Sequence, residues 1–303
     1  MADRIDNLKI VCLGGGVGTS NLLRGLKHHN PQLTVVTSMA DDGGSSGRLR
    51  KAYGILPPGD IVVCIAALIP NDQKELEELL LYRFSGENED DKAIDAHKLG
   101  NLIMLAEIQR TGDFYKAIQA TKKLFGVRAD LFPATDEHVQ LSATTKDGRE
   151  ITSETTLDLA LYSEPFGLKN IYITPKNPQV NPKVIQALMQ ADVIISGPGD
   201  LYTNQLPVLI VPQIKETLLA SKAKKIFITN IANKPFETKN FALNDFVDAI
   251  KTHLGEFPFT SVIINKNTSI PMPEQYKYEY IEKGTKSFPF EIIEEDVVSA
   301  SLP

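Results

Sequence analysis

Short apolar runs that stop at glycine or polar residues set the limits on what this chain can fold into. Residues 8–13 run into Gly14-Gly15-Gly16-Val17-Gly18, residues 33–40 into Asp41-Asp42-Gly43-Gly44, and residues 193–195 into Ser196-Gly197-Pro198-Gly199-Asp200. Residues 226–228 end at Thr229-Asn230, and residues 262–264 at Asn265. Brief runs with little polar alternation are the pattern of strands buried on both faces, and therefore of a parallel sheet covered by helices. With helical segments between the runs, the pattern predicts an α/β fold: a Rossmann-like, doubly wound, mostly parallel sheet. Open sheets of this kind bind ligands at the carboxyl ends of their strands.

The 303 residues, 42% of them hydrophobic, can fill a sizeable core. They are read as one domain over 1–303, with an insertion at about 71–165 and a peripheral tail at about 271–303. In the insertion, Leu76, Leu79, Leu80 and Phe84 have helical spacing, as do Leu102, Leu105, Ala106 and Ile108. Lys146-Asp147-Gly148, between residues 138–141 and 149–152, signals a hairpin. Residues 61–69 suit a buried helix as well as a strand, residues 171–173 read as a parallel strand, and the acidic stretch 87–91 reads as a solvated loop. Asn181-Pro182 marks a helix start.

A net charge of −6 and a pI of about 5.5 argue against a nucleic-acid partner. Cys12 and Cys64 both sit in apolar runs, and two cysteines make neither a disulfide framework nor a zinc cluster. No apolar stretch approaches the ~18 residues of a membrane span, and the polar start of the chain is not a signal peptide. A cytoplasmic address is expected. No H-E-x-x-H, G-x-S-x-G or C-x-x-C occurs, so zinc-protease, serine-hydrolase and thiol-redox chemistry lack support.

The segment Asp41-Asp42-Gly43-Gly44-Ser45-Ser46-Gly47-Arg48-Leu49-Arg50 concentrates two carboxylates, two hydroxyls, three glycines and two arginines at one run end. Carboxylates bind hydroxyls or cations, glycine lets a backbone approach a ligand, and arginine neutralises phosphate. Asp41 and Asp42 stand where a Rossmann acid would hold a ribose. They suit equally a divalent-cation site, Mg2+ being the candidate, beside a diphosphate, or a capped turn. They are the only candidates for a catalytic role, and none is assigned. Ser45, Ser46 and Arg48 extend the candidate ligand set.

Gly14, Gly15, Gly16, Gly18 and Thr19 form a loop able to hold a diphosphate on backbone N–H groups. The following helix is predicted over 21–27, capped by Thr19 or Ser20. The loop completes neither G-x-G-x-x-G, whose last position is Thr19, nor a Walker loop. With Asp41 it still admits an NAD-type dinucleotide reading, and a turn without ligand is the alternative. Gly197 and Gly199 leave room for a ligand beside Asp200. Tyr202 packs either on a base or in the core, and Asn230 bonds either a base or sugar or caps a helix.

Taken in order, these segments resemble the CofD/YvcK family. The stretches that carry the likeness are Gly14-Gly15-Gly16-Val17-Gly18-Thr19-Ser20-Asn21, the Asp41 to Arg50 string, and Gly54-Ile55-Leu56-Pro57-Pro58-Gly59-Asp60. Leu99-Gly100-Asn101-Leu102, Phe132-Pro133-Ala134-Thr135 and Gly197-Pro198-Gly199-Asp200-Leu201-Tyr202-Thr203 continue it, over about residues 10–230. The aspartate-glycine-serine string is most similar to the YvcK branch. The resemblance implies a nucleotide-diphosphate site at the strand ends and adds Asn101 to it. In the CofD branch it implies phospholactyl transfer from a nucleotide-activated donor to a deazaflavin, with a divalent cation. In the YvcK branch it implies UDP-sugar binding, a link to gluconeogenic growth and cell shape, and protein partners in cell-envelope regulation. A homodimer is one expected assembly.

The chain departs from the family pattern at several polar positions. Val62-Val63 replace the usual Arg-Asn, Lys98 follows His97 where Ser or Thr is usual, and Asp200 replaces a serine. The later Asn-x-x-Thr-Gln-Pro-Gly-Glu-Thr is here Asn230-Ile231-Ala232-Asn233-Lys234-Pro235-Phe236-Glu237-Thr238. A retained scaffold with an altered ligand or activity is expected, without phospholactyl transfer.

Overall fold

A computed structural model describes residues 5–85, 94–158, 167–235, 237–272 and 278–298, so the expected acidic loop at 87–91 lies outside the described residues. In chain order the strands are β1 (Lys9–Leu13), β2 (Gln32–Thr37), β3 (Asp130–Pro133), β4 (Gln140–Thr145), β5 (Glu150–Thr152), β6 (Leu168–Thr174), β7 (Val193–Ser196), β8 (Lys224–Ile228), β9 (Ala232–Asn233), β10 (Ser261–Asn265), β11 (Glu279–Tyr280) and β12 (Glu291–Glu295). The α-helices are α1 (Gly16–Leu26), α2 (Gly44–Tyr53), α3 (Gly59–Leu68), α4 (Lys74–Leu81), α5 (Leu99–Thr111), α6 (Phe114–Leu124), α7 (Glu154–Asp158), α8 (Pro182–Gln190), α9 (Leu206–Leu209), α10 (Pro212–Ala220) and α11 (Leu243–Leu254).

Seven strands form the central sheet in the order β12-β10-β8-β7-β1-β2-β3, every neighbouring pair parallel. The chain builds outward from β1 through β2 to β3, then returns to the other side of β1 with β7 and builds outward again. The switch point therefore lies between β1 and β7, whose carboxyl ends carry the Gly14 and Gly197 loops. Cys12 and Cys64 are both buried, as their apolar surroundings predict.

The run after Asp60 resolves as helix α3, in which every residue except Asp60 is buried. Such a helix is apolar all round, which is why its sequence period alone could not separate it from a strand. The hairpin forms as expected, with β4 and β5 antiparallel. Strand β6, expected in the parallel sheet, instead pairs antiparallel with β4 in a separate sheet ordered β5-β4-β6. Its Ile171 and Ile173 are buried while Tyr172 between them is exposed. That alternation is the mark of a half-covered antiparallel strand. The stretch expected as an insertion also sends β3 into the central sheet, and the tail adds β12 at its far edge.

Helix α1 starts at Gly16, five residues earlier than predicted, with Gly15 as its N-cap. Gly18, Thr19 and Ser20 are thus helical rather than loop residues. The glycines mislead because they serve close packing. A Cβ on Gly18 would lie 2.5 Å from the Pro198 carbonyl oxygen, and one on Gly15 would lie 2.0 Å from an Asp60 carboxylate oxygen. Gly25 near the end of the same helix has no atom within 4 Å of its would-be Cβ. Gly18→Ala is expected to destabilise the protein by about 1–3 kcal/mol through backbone overpacking. Gly25→Ala should be neutral or add about 0.5–1 kcal/mol. Denaturant midpoints of the two variants measure the difference.

Candidate functional site

A cavity of about 490 Å³ opens at the carboxyl ends of β1, β2 and β7. Gly16 and Val17 enter it from the first loop, Asp41 and Gly43 to Ser46 from the second, and Asp200, Thr203 and Asn204 from the third. Hydrogen bonds between the loops fix this convergence. Asn204 Oδ1 accepts the Gly15 N–H at 2.9 Å, and Asn204 Nδ2 reaches Asp60 Oδ2 at 3.4 Å. The Thr19 hydroxyl donates to the Pro198 carbonyl at 3.4 Å. Asn230 accepts the Gly199 N–H at 2.7 Å and donates to Asp200 Oδ1 at 3.1 Å.

Two helices begin at this cavity without a side-chain cap from their own N-cap residues, Gly15 for α1 and Gly43 for α2. The first helix-type bond of α2 is Gly47 N–H to the Gly43 carbonyl, at 2.7 Å. The N–H groups of Gly44, Ser45 and Ser46 precede it and have no partner among the described residues; the N–H of Val17 in α1 is equally unpaired. All four residues line the cavity. A row of first-turn N–H groups at a helix start favours an anion.

The carboxyl groups around the cavity are crowded. Asp60, in the first turn of α3, accepts the Gly16 N–H; burial, then the nearby charge of Asp41, pushes its carboxyl up to about 7. Burial, then Asp41, pushes Glu154 of α7 up to about 9, and burial also raises Asp41. Lys98 lines the same space, its ammonium held below its usual pKa by burial, with no carboxylate in salt-bridge contact among the described residues. Lys234 pairs with Asp158 and, at 3.1 Å, with Asp200, joining α7 to the loop after β7. Among the described residues no group of three or more His, Cys, Asp or Glu is placed to hold a metal ion. Asp41 and Glu154 nevertheless offer hard oxygen donors that suit Mg2+ when a ligand's phosphates and water complete its shell.

Behind Ser45 lies a buried polar relay. Ser45 Oγ is 2.8 Å from His97 Nδ1, and Asn101 Nδ2 donates to Ser45 Oγ at 2.9 Å. Burial, then the charges of Arg48 and Arg83, lowers the His97 pKa.

Of the residues singled out from sequence, Gly16, Asp41, Ser45, Ser46, Asn101 and Asp200 line the cavity. Gly14, Gly15, Gly18, Thr19, Gly197, Gly199 and Asn230 stand behind it and pack the loops together. Asp42 points away from Asp41: it accepts the Thr155 N–H at 2.8 Å and the hydroxyls of Thr155 and Ser153, which anchors α7. The paired-aspartate metal reading therefore reduces to Asp41 alone. Arg48 is exposed and donates to the Asp95 carbonyl, outside the cavity. Tyr202 is buried edge-on to Phe241 and His253, the core placement rather than a base platform. The sequence reading assigns no ligand role to Asp60, quoted only within the family stretch, or to Lys98, noted only as a departure from the family pattern; Arg83 and Glu154, brought in from distant segments, and Asn204, next to the Gly197 loop, go unremarked there. Asp60 alone carried a local signal, an acid in an otherwise apolar stretch.

The family described as 2-phospho-L-lactate transferase CofD matches residues 10–300 of the chain. The chain belongs to the CofD family. It is 39% identical over 289 residues to a gluconeogenesis factor of Bacillus subtilis (strain 168), covering 94% of this chain and 86% of that one. A relative from Aquifex aeolicus (strain VF5) is 41% identical over 283 residues, covering 91% and 83%. The chain spans only 55% and 60% of longer relatives from Nostoc and Clostridium acetobutylicum. A crystal structure of a UPF0052 family member from Bacillus halodurans superposes with a TM-score of 0.88 at 32% identity, covering 97% of this chain and 94% of that one. Among the described residues no helix is long and apolar enough to cross a membrane.

The raised carboxyls of this CofD-family cavity predict a pH response. In the unfolded chain Asp60 and Glu154 titrate near 4, so above that pH the folded state holds more protons. Stability is then greatest at low pH and falls as pH rises through about 7 for Asp60 and about 9 for Glu154. For Asp60 the loss is about 2 kcal/mol after allowing for water in the cavity. Asp60→Asn should flatten the slope between pH 5 and about 8 in denaturant melts. Added Mg2+ should stabilise the unmodified protein more at the upper end of that range.

Proposed function

We propose that the cavity binds a nucleoside diphosphate sugar, a UDP-sugar being the first candidate, and that the protein acts as a ligand-responsive factor in growth on gluconeogenic carbon and in cell-envelope or cell-shape control. The observation that carries the reading is the unpaired row of N–H groups at the start of α2, facing the cavity beside the unpaired N–H of Val17. A diphosphate supplies acceptors for those donors. The size of the cavity suits a small ligand. Val17, 72% exposed at the mouth, offers an apolar contact to a base or sugar face. Ser45 and Asn101 orient polar groups of the ligand, and Lys98 adds positive charge.

A divalent cation on Asp41 and Glu154 would supply charge neutralisation between these carboxylates and the phosphates. The likeness to a gluconeogenesis factor supports the metabolic side of the reading.

Val63 lines the cavity where the family usually places asparagine, while Val62 is buried towards α5, its Cγ1 2.5 Å from a would-be Cβ on Gly100. The polar contact is thus lost at Val63, and an arginine at Val62 has no room.

In a thermal-shift series, UDP-sugars with Mg2+ should raise the melting temperature, and uridine alone should raise it less. Ligand at one hundredfold above Kd adds about 2.7 kcal/mol. Asp41→Asn should remove the Mg2+ dependence of the shift. A melting temperature unmoved by any nucleotide sugar at millimolar concentration would defeat the proposal; a shift with NAD alone would replace it with the dinucleotide reading. With activated donor, deazaflavin and Mg2+, no phospholactyl product is expected, and chromatography of the mixture checks this.

A further inference from the structure

A second groove, of about 960 Å³, lies away from the nucleotide cavity, at the amino ends of β1, β2 and β3. Helix α8 packs on β1 and α6 packs on β3, and the groove opens between them over the start of β2. Parallel sheets are ordinarily covered on both faces. Here the floor is polar: Gln32 and Thr34 of β2 lie beside Lys9 of β1 and Asp130 of β3 in register.

Four cations border this groove: Lys9, Lys27, Arg128 and Lys183. Asp130 is the one acidic residue that lines it, and it is already bridged to Lys122 at 3.1 Å. The cations lack carboxylate partners among the described residues. Lys27 donates to the Ile69 carbonyl at 2.8 Å, and Lys183 lies over the Tyr115 ring, 5.3 Å from its centroid. The Lys9 ammonium reaches the Gln190 amide at 3.4 Å, while its backbone N–H donates to the Asp192 carboxylate at 2.8 Å. The exposed Arg128 guanidinium has no side-chain hydrogen bond or ion pair among the described residues. The charge of Glu77 reaches Lys27, but that carboxylate is held by Arg24 at 2.8 Å. A concentration of unpaired cations in a chain of net charge −6 is a local inversion of the protein's field.

We propose that this groove is a second ligand site, for a small metabolite that carries phosphate groups on a hydroxylated body. The Arg128 fork and the lysine ammonium groups suit phosphate oxygens. The side chains of Gln32, Thr34 and Gln186, with no hydrogen-bond partner among the described residues, suit hydroxyl groups. The site shares β1 and β2 with the nucleotide cavity but lies at their opposite ends, so both ligands fit at once.

The test is calorimetric titration of the full chain with inorganic phosphate, pyrophosphate and a hexose bisphosphate in turn. It is repeated on Arg128→Ala, on Lys9→Ala and, as the nucleotide-cavity control, on Asp41→Asn. The hexose bisphosphate should bind most tightly. Each groove substitution should raise its Kd at least about tenfold, the worth of one charge-assisted contact, while Asp41→Asn leaves it unchanged. No heat from any probe at millimolar concentration would overturn the proposal. So would a Kd indifferent to both groove substitutions, or one weakened by Asp41→Asn alone, which would return the probe to the nucleotide cavity.

Discussion

The cavity depends on one half-buried amide. Asn204 accepts the N–H of Gly15 at the end of β1 and reaches the carboxyl of Asp60 at the start of α3. Its own position follows the loop after β7, so three separated pieces of chain meet at a single side chain. The parallel sheet brings their strand ends to one edge, but only to within loop reach. The amide, with the Thr19 to Pro198 and Asn230 to Gly199 bonds, turns proximity into fixed geometry. Removing one partner of such a network leaves half-buried polar groups unmatched, which costs more than the loss of one bond.

A conflict of charge is built into this arrangement. Helix starts at Gly15 and Gly43 attract negative charge, yet Asp41, Asp60 and Glu154 already crowd the same space. Asp60 and Asp41 accept the Gly16 and Gly43 N–H groups and so consume part of the helix field. The rest of the field remains on the first turns of α1 and α2. Opposite signs of demand side by side are what a dianionic ligand with a divalent cation would satisfy together.

Much of this was legible in the sequence, for identifiable reasons. Strands β1, β2, β7, β8 and β10 announced themselves because buried parallel strands are short apolar runs with polar ends. Asp41, Ser45, Ser46 and Asp200 were found because they stand at those ends. Helix α3 was ambiguous because complete burial erases its period, and β6 was misplaced because pairing partners leave no local trace. Glu154, Lys98 and Arg83 come to the cavity from segments far from any strand end of the central sheet. Asp42 and Tyr202 looked equivalent to their neighbours in the chain, and only side-chain direction separated them.

The tight fit of Gly15 against Asp60, and of Gly18 against Pro198, has a consequence for descent within the family. These glycines are demanded by the protein's own atoms, whatever occupies the cavity. Selection can rewrite the polar residues around the cavity, while the glycine signature stays fixed by the need to fold. The signature is therefore a record of ancestry in the scaffold. Chemistry must be read from the side chains that the scaffold leaves free to vary.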